Sequence, residues 1–150
     1  MNATYGSRFY DDQAAGSRRS SQRIVPVVLE LAKPCSVVDI GCGVGTWLSS
    51  YAEMGVTEYL GLDGTWVDPK RLLIPTERFR SVDLSDPPAL HQRFDVAQSL
   101  EVAEHIEANH AKRFVEFLTS LSNIVVFSAA VPFQGGTNHV NEQWPSYWQA

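Results

Sequence analysis

Glu101, Glu104 and His105 form an E-x-x-E-H pattern in the stretch SLEVAEHIEANH. If a helix starts near Glu101, positions i, i+3 and i+4 share one face. Two carboxylates and an imidazole on one face can hold a hard or borderline divalent cation. The same glutamates also suit a first helical turn for its dipole alone. Upstream, SVVDIGCGVGTWL places Gly41, Gly43 and Gly45 directly after an apolar run that contains Asp39. Glycine inside a regular element costs about 0.5–1 kcal/mol relative to alanine. The compensation is backbone at φ > 0 that a ligand can approach closely. Asp39 organises that turn or its ligand, and Thr46 can cap the next helix or bond the ligand.

These residues need elements to hold them. Apolar residues Ile24, Val27, Val28 and Leu31 recur at helical spacing, which predicts a helix over 20–32 ended by Pro34. CSVVDI reads as a strand, and TWLSSYAEMG as a helix closed by Gly55. TEYLGLD is a second strand, and ERFRSVDL contains a short third. FDVAQSLEV is a fourth strand, 111–121 a helix, and NIVVFSAAV a fifth strand, apolar on both faces. Strands that are continuous apolar runs and alternate with helices predict an α/β fold: a doubly wound, mostly parallel sheet with helices on both faces, Rossmann-like. Ligands of such sheets bind beyond the carboxyl ends of the strands, where the glycines fall. Residues 1–18 read as an N-terminal arm, polar and loose over 1–16, and 19–150 as one domain.

The 150 residues suit a single domain, and 44% hydrophobic with 19% charged residues excludes a disordered chain. A net charge of −5 disfavours nucleic acid as partner. Arg18, Arg19 and Arg23 read as a solvated surface. No run reaches the length of a membrane span, and the N-terminus lacks the apolar region of a signal peptide. Cys35 and Cys42 read as small core residues of a reducing compartment. The expected address is the cytoplasm, and the expected partner a small molecule.

Dinucleotide enzymes use G-x-G-x-x-G, whereas here the acid Asp39 precedes G-x-G-x-G and Asp63 ends the second strand. Over about residues 20–130 this assembly closely resembles the class I S-adenosylmethionine-dependent methyltransferases. The resemblance implies that Gly41, Gly43 and Gly45 form the cofactor turn. It implies that Asp63 accepts hydrogen bonds from the ribose hydroxyls, and that Asp83, with Leu84 beside it, contacts the adenine. DLSDPP could equally be a turn capped by Asp83. HVNEQWPSYW is similar to a segment of a recurring bacterial subgroup of these enzymes. The E-x-x-E-H segment resembles that of the ubiquinone-pathway O-methyltransferases and of the plant-type small-RNA 2′-O-methyltransferases. In the latter a histidine beyond the fifth strand completes a magnesium site. By that resemblance, Glu101, Glu104, His105 and His139 would hold Mg²⁺, Mn²⁺ or Zn²⁺. Without metal, His105 or His139 would be a general base and Glu142 its orienter. His91 and His110 read as surface residues. Trp144, Tyr147 and Trp148 are either core filler or a lid and stacking surface.

The family has two further strands, an antiparallel hairpin at one edge. The stretch beyond Ala130 is too short for them, since a helix and two strands need about 35–45 residues. A truncated chain or a sheet completed by a second copy is expected, hence a homo-oligomer. The functional expectation is S-adenosylmethionine-dependent methyl transfer, to a hydroxyl of a small molecule. The alternatives are a non-catalytic S-adenosylmethionine-binding or interaction module, and a nicotinamide-dependent oxidoreductase, which the glycine spacing disfavours.

Overall fold

The computed structural model describes residues 7–149. Helix α1 spans Ser7–Ala32, followed by β1 (Ser36–Ile40), α2 (Thr46–Glu53), β2 (Glu58–Asp63), β3 (Phe79–Ser81), β4 (Val96–Leu100), α3 (Ala108–Leu121), β5 (Val125–Ser128) and α4 (Pro145–Trp148). All neighbouring strands pair in parallel, in the order β3-β2-β1-β4-β5. The order reverses between β1 and β4, which puts a ligand crevice at their carboxyl ends. Asp39 on β1 is in register with Gly61 on β2 and with Gln98 on β4.

Apolar side chains cover both faces of the sheet. Helix α3 buries Phe114, Leu118 and Leu121 against Val38, Ile40, Leu60 and Leu62. Helices α1 and α2 bury Val25, Val28, Leu48 and Tyr51 against Val37 and Val96. Alternation along the strands therefore turns Asp39 and Gln98 toward α2.

Three expectations change. Helix α1 begins at Ser7, so 7–16 is helix where a loose stretch was expected; 1–6 lie outside the described residues. Its buried face is also rotated. Ser21, Val25 and Val28 face inward, whereas Ile24, Val27 and Leu31 are exposed. Two serines set this rotation: Ser21 Oγ lies 2.7 Å from Ser50 Oγ, and such small side chains let α1 and α2 approach closely. Second, Cys35 is exposed and only Cys42 is buried; both are free thiols. Third, β5 is half-buried throughout, because it forms an edge of the sheet. Gly55 closes α2 with φ +100°, as its spacing predicts. Among the described residues no helix is long and apolar enough to cross a membrane.

Candidate functional site

The glycine turn folds over the carboxyl end of β2. The amides of Gly41 and Cys42 donate to Leu62 O at 2.7 and 3.2 Å, and Gly45 N donates to Cys42 O at 2.9 Å. All three glycines have positive φ: 81°, 54° and 84°. At Gly41 a Cβ would lie 2.2 Å from Val102 Cγ2, so the close approach of the β4 end requires glycine there. At Gly43 a Cβ would meet nothing within 4 Å. Bare backbone at Gly43 thus faces open space, as a ligand-binding turn needs. Gly45 stands at the N-cap of α2 with no side-chain cap, so Thr46 does not cap the helix; it is buried in the first turn.

Asp63 holds this turn. Its Oδ2 accepts from Gly43 N at 2.6 Å and its Oδ1 from Gly64 N at 2.6 Å. Burial raises its pKa, while the two amides and the Trp66 indole oppose the rise. The Trp66 ring lies against Gly64, where a Cβ would be 2.2 Å from the ring, yet the residue is 61% exposed. Each carboxylate oxygen can accept more than one bond, so amide contacts leave Asp63 capacity for a hydroxyl donor. Asp83 is exposed, and its Oδ1 accepts from Ser85 N at 2.9 Å and Ser85 Oγ at 2.6 Å. These bonds hold its carboxyl below the usual range. In this structure the Asp83 carboxylate thus caps its own turn, while Leu84 is buried in the core. Asp39 is 2% exposed, and its Oδ2 has no partner. Burial pushes its carboxyl up to about 7; Gln98 opposes this and Asp63 adds to it.

The second constellation is built differently from the expected helical face. Glu101 takes a left-handed φ of 57°, and only a 3₁₀ turn, Ala103–His105, precedes α3. Glu101 is exposed and accepts from Ser128 Oγ at 2.7 Å. It is not part of the ligand group. Glu104, His105 and His139 are: their ligand atoms lie within 4.8 Å of one another. The loop after β5 brings His139 there. The amides of Val140 and Asn141 donate to Glu104 O at 2.9 and 3.0 Å, and Gln143 N donates to Ala130 O. The loop includes Phe133, 97% exposed at φ 74°, whose amide donates to Glu142 Oε2 at 3.1 Å. The cluster adjoins the glycine turn, since Val102, two residues before Glu104, is the side chain packed on Gly41.

The methyltransferase domain family matches residues 12–148. The chain belongs to that family. No curated protein matches it in sequence. Among solved structures it is similar to an O-methyltransferase family protein from Burkholderia thailandensis, with 23% identity and a TM-score of 0.58 over 79% of this chain and 39% of that one. DesVI from Streptomyces venezuelae gives 18% identity and a TM-score of 0.68, over 90% of this chain and 62% of that one. The methyltransferase domain of bacterial CtHen1-CN gives 21% and 0.64, over 89% and 80%. These likenesses establish the fold, that of the class I S-adenosylmethionine-dependent methyltransferases. The chain spans less than two thirds of the Burkholderia and Streptomyces proteins.

In this methyltransferase domain the donor set suits a divalent cation. Glu104 is 1% exposed, and neither carboxylate oxygen has a hydrogen-bond partner. Burial raises its pKa, Glu101 adds to the rise, and His105 and His139 oppose it. His105 Nδ1 lies 3.1 Å from Asn138 O. A carbonyl only accepts, so Nδ1 is the donor there, and the neutral ring would turn its Nε2 lone pair to the cluster. His139 Nδ1 lies 3.0 Å from Glu142 Oε1, and its Nε2 lies 3.9 Å from Glu104 Oε1. Glu142 lies outside the group of three and is bonded to His139, and hydrogen bonds from His139 and the Phe133 amide keep its pKa low.

The aromatic cluster divides. Trp148 is 7% exposed and packs on Phe127 and Tyr147, as core filler. Trp144 is 56% exposed. His91 is exposed, whereas His110 is half-buried with its Nδ1 2.9 Å from Ser85 O. Sequence reading misses Trp66, although it stands in GLDGTW just after the strand-end acid. It also misses Gln98 and Tyr51, whose side chains meet beneath the turn: Tyr51 Oη donates to Gln98 Oε1 at 3.1 Å.

Proposed function

We propose that this chain binds S-adenosylmethionine at the glycine turn and transfers its methyl group to a hydroxyl of a small molecule. The observation that carries the reading is the contact of two sites. An open Gly43 backbone held by Asp63 adjoins, through Val102 on Gly41, a buried carboxylate with two imidazoles. The sulfonium methyl is already activated, so the domain's main task is alignment, which can contribute roughly 7–11 kcal/mol. Asp63 is the acceptor for the ribose hydroxyls, and the open space beside the Gly43 backbone takes the rest of the cofactor. Asp83 would reach an adenine only by leaving Ser85; Leu84 would supply apolar contact beneath it. Glu104, His105 and His139 would hold a divalent cation, which when bound would lower the pKa of the acceptor hydroxyl. His139, backed by Glu142, is the alternative proton acceptor at Nε2. The carboxylate and imidazole donors favour a hydroxyl over an amine acceptor, because a hydroxyl must lose its proton to become a strong nucleophile.

Calorimetry with S-adenosylmethionine, S-adenosylhomocysteine and NAD tests the cofactor: the first two bind, and NAD does not. Methyl-transfer assays across phenols, catechols and sugars, with EDTA and metal add-back, then test the acceptor class. Cofactor binding with no transfer to any acceptor would favour a binding module.

A further inference from the structure

Beneath the glycine turn lie two complementary buried atoms that make no full hydrogen bond, the acceptor Asp39 Oδ2 and the donor Gln98 Nε2, although Gln98 is near enough to hold the Asp39 carboxyl down. They belong to residues in register on adjacent strands, both turned toward α2. The hydroxyl of Tyr51, on α2, donates to Gln98 Oε1 at 3.1 Å. A hydroxyl donor on the amide oxygen fixes which end of the amide is left for Asp39. The NH₂ end faces the carboxylate, and an NH₂ can only donate. Both Gln98 and Tyr51 are fully buried, so neither choice is imposed by water. An unmade pair of this kind is costly where it stands. The pair lies directly under the glycine turn, where an arriving ligand can complete it.

The other groups that sense the Asp39 charge are acidic or neutral. Cys42 comes from the turn, Asp63 from β2 and Tyr51 from α2, while β4 contributes the uncharged Gln98. Two carboxyls and a thiol around one turn repel when ionised, and a cationic ligand relieves that repulsion.

We propose that Tyr51 and Gln98 are positioning residues for Asp39, and that they couple cofactor binding to the release of one proton from Asp39. When the cation arrives, the Asp39 carboxyl becomes a carboxylate, its proton leaves to solvent, and the Gln98 NH₂ closes onto Oδ2. Tyr51 prevents the amide from turning its oxygen to the carboxylate. The inference rests on the cofactor reading above. It adds that affinity rises with pH across the titration of Asp39.

Two measurements on the full chain test it. Carboxyl-carbon NMR follows the Asp39 titration in the free protein. Calorimetry with S-adenosylmethionine and S-adenosylhomocysteine, from about pH 6 to about pH 8.5 in buffers of different ionisation enthalpy, counts protons released. Affinity should rise by about tenfold over that range, with proton release, and Asp39→Asn should flatten both. Gln98→Met should move the Asp39 midpoint upward by roughly one pH unit, the equivalent of one lost hydrogen bond. Tyr51→Phe, which removes only a hydroxyl, should move it the same way by less, and decides the question if Gln98→Met does not fold. A folded Gln98→Met or Tyr51→Phe with the wild-type midpoint overturns the positioning role. Tight binding with no pH dependence overturns the coupling and leaves the cofactor reading standing. No binding of either ligand at any pH overturns both.

Discussion

His139 Nε2 lies 3.9 Å from Glu104 Oε1, while its Nδ1 is held 3.0 Å from Glu142 Oε1. The imidazole therefore spans a buried carboxylate with no hydrogen-bond partner and a half-buried one that orients it. A buried, unsatisfied carboxylate is costly, and a cation between Glu104 and the two imidazoles would remove that cost. In EDTA, Glu104→Gln should melt at or above the wild-type temperature, because it removes an unpaired buried acid. With saturating Mn²⁺ the order should reverse. Wild type gains about 2.7 kcal/mol at a hundredfold excess over Kd, and the variant gains little. Melting curves of both proteins in both conditions decide this; equal Mn²⁺ stabilisation of the two would remove Glu104 from the site.

Glu142 would act on the same site one step removed, through its contact with His139. Glu142→Gln keeps a hydrogen bond to His139 Nδ1 but loses its charge. Metal affinity should fall about 10–100-fold, the usual cost of losing such an orienting carboxylate. Competition against a fluorescent chelator reads it, and an unchanged Kd would make Glu142 merely a loop anchor for the Phe133 amide.

Gly43 separates folding from binding. A side chain there meets open space, so Gly43→Ala should fold, at about 1–3 kcal/mol for the positive φ. It should nevertheless lose S-adenosylhomocysteine, because the added methyl occupies the approach to the backbone. Wild-type affinity by calorimetry would place the cofactor elsewhere.

Asp63→Ala removes the acceptor of the Gly43 and Gly64 amides and the proposed partner of the ribose. Cofactor affinity should drop by about 1.5–3 kcal/mol, the range for hydrogen bonds to a charged group. Circular dichroism checks that the fold persists; a folded variant with unchanged affinity would reduce Asp63 to a turn-holding residue.

The parts of this site that are legible in the sequence are the ones set by local pattern. The first strand and the glycine turn are contiguous, and Asp63 is the last residue of the next strand, so each is marked by residue type at an element's end. The E-x-x-E-H segment shows the limit. Its i, i+3, i+4 spacing suggests one helical face, but Glu101 turns left-handed and a 3₁₀ turn takes the place of the helix start. His139 joins Glu104 and His105 through loop amides bonded to Glu104 O, a contact no period encodes. The Tyr51–Gln98–Asp39 cluster depends on strand register and on how α2 sits over the sheet. The inward face of α1 is not legible from apolar spacing, because Ser21, a polar residue, marks it, while Ile24, Val27 and Leu31 lie outside.

The edge strand β5 carries Val125 and Phe127 toward one face of the sheet and Val126 toward the other, all half-buried. Its outer backbone borders no further strand among the described residues. Such an edge is a template for another chain. Light scattering should show self-association at high micromolar concentration; a strict monomer there would contradict it.

Asp39 also sets a pH dependence of stability. Its carboxyl is raised from 3.8 to about 7 in the folded protein by burial above all. The folded state therefore binds a proton that the unfolded chain has released between those values. The sign follows from linkage: the stabilisation is complete below about pH 4 and is lost as pH rises through about 7. Each pH unit in that window weakens folding by up to about 1.4 kcal/mol from this residue. Asp63 and Glu104, also raised by burial, act in the same direction. Asp39→Asn cannot ionise, so its stability should fall less steeply between pH 5 and pH 7.5, and it should equal or exceed wild type at the upper end. Thermal unfolding of both proteins across that range provides the measurement. Parallel curves would show that Asp39 is ionised in the folded protein throughout, and would shift the pH dependence to Asp63 and Glu104.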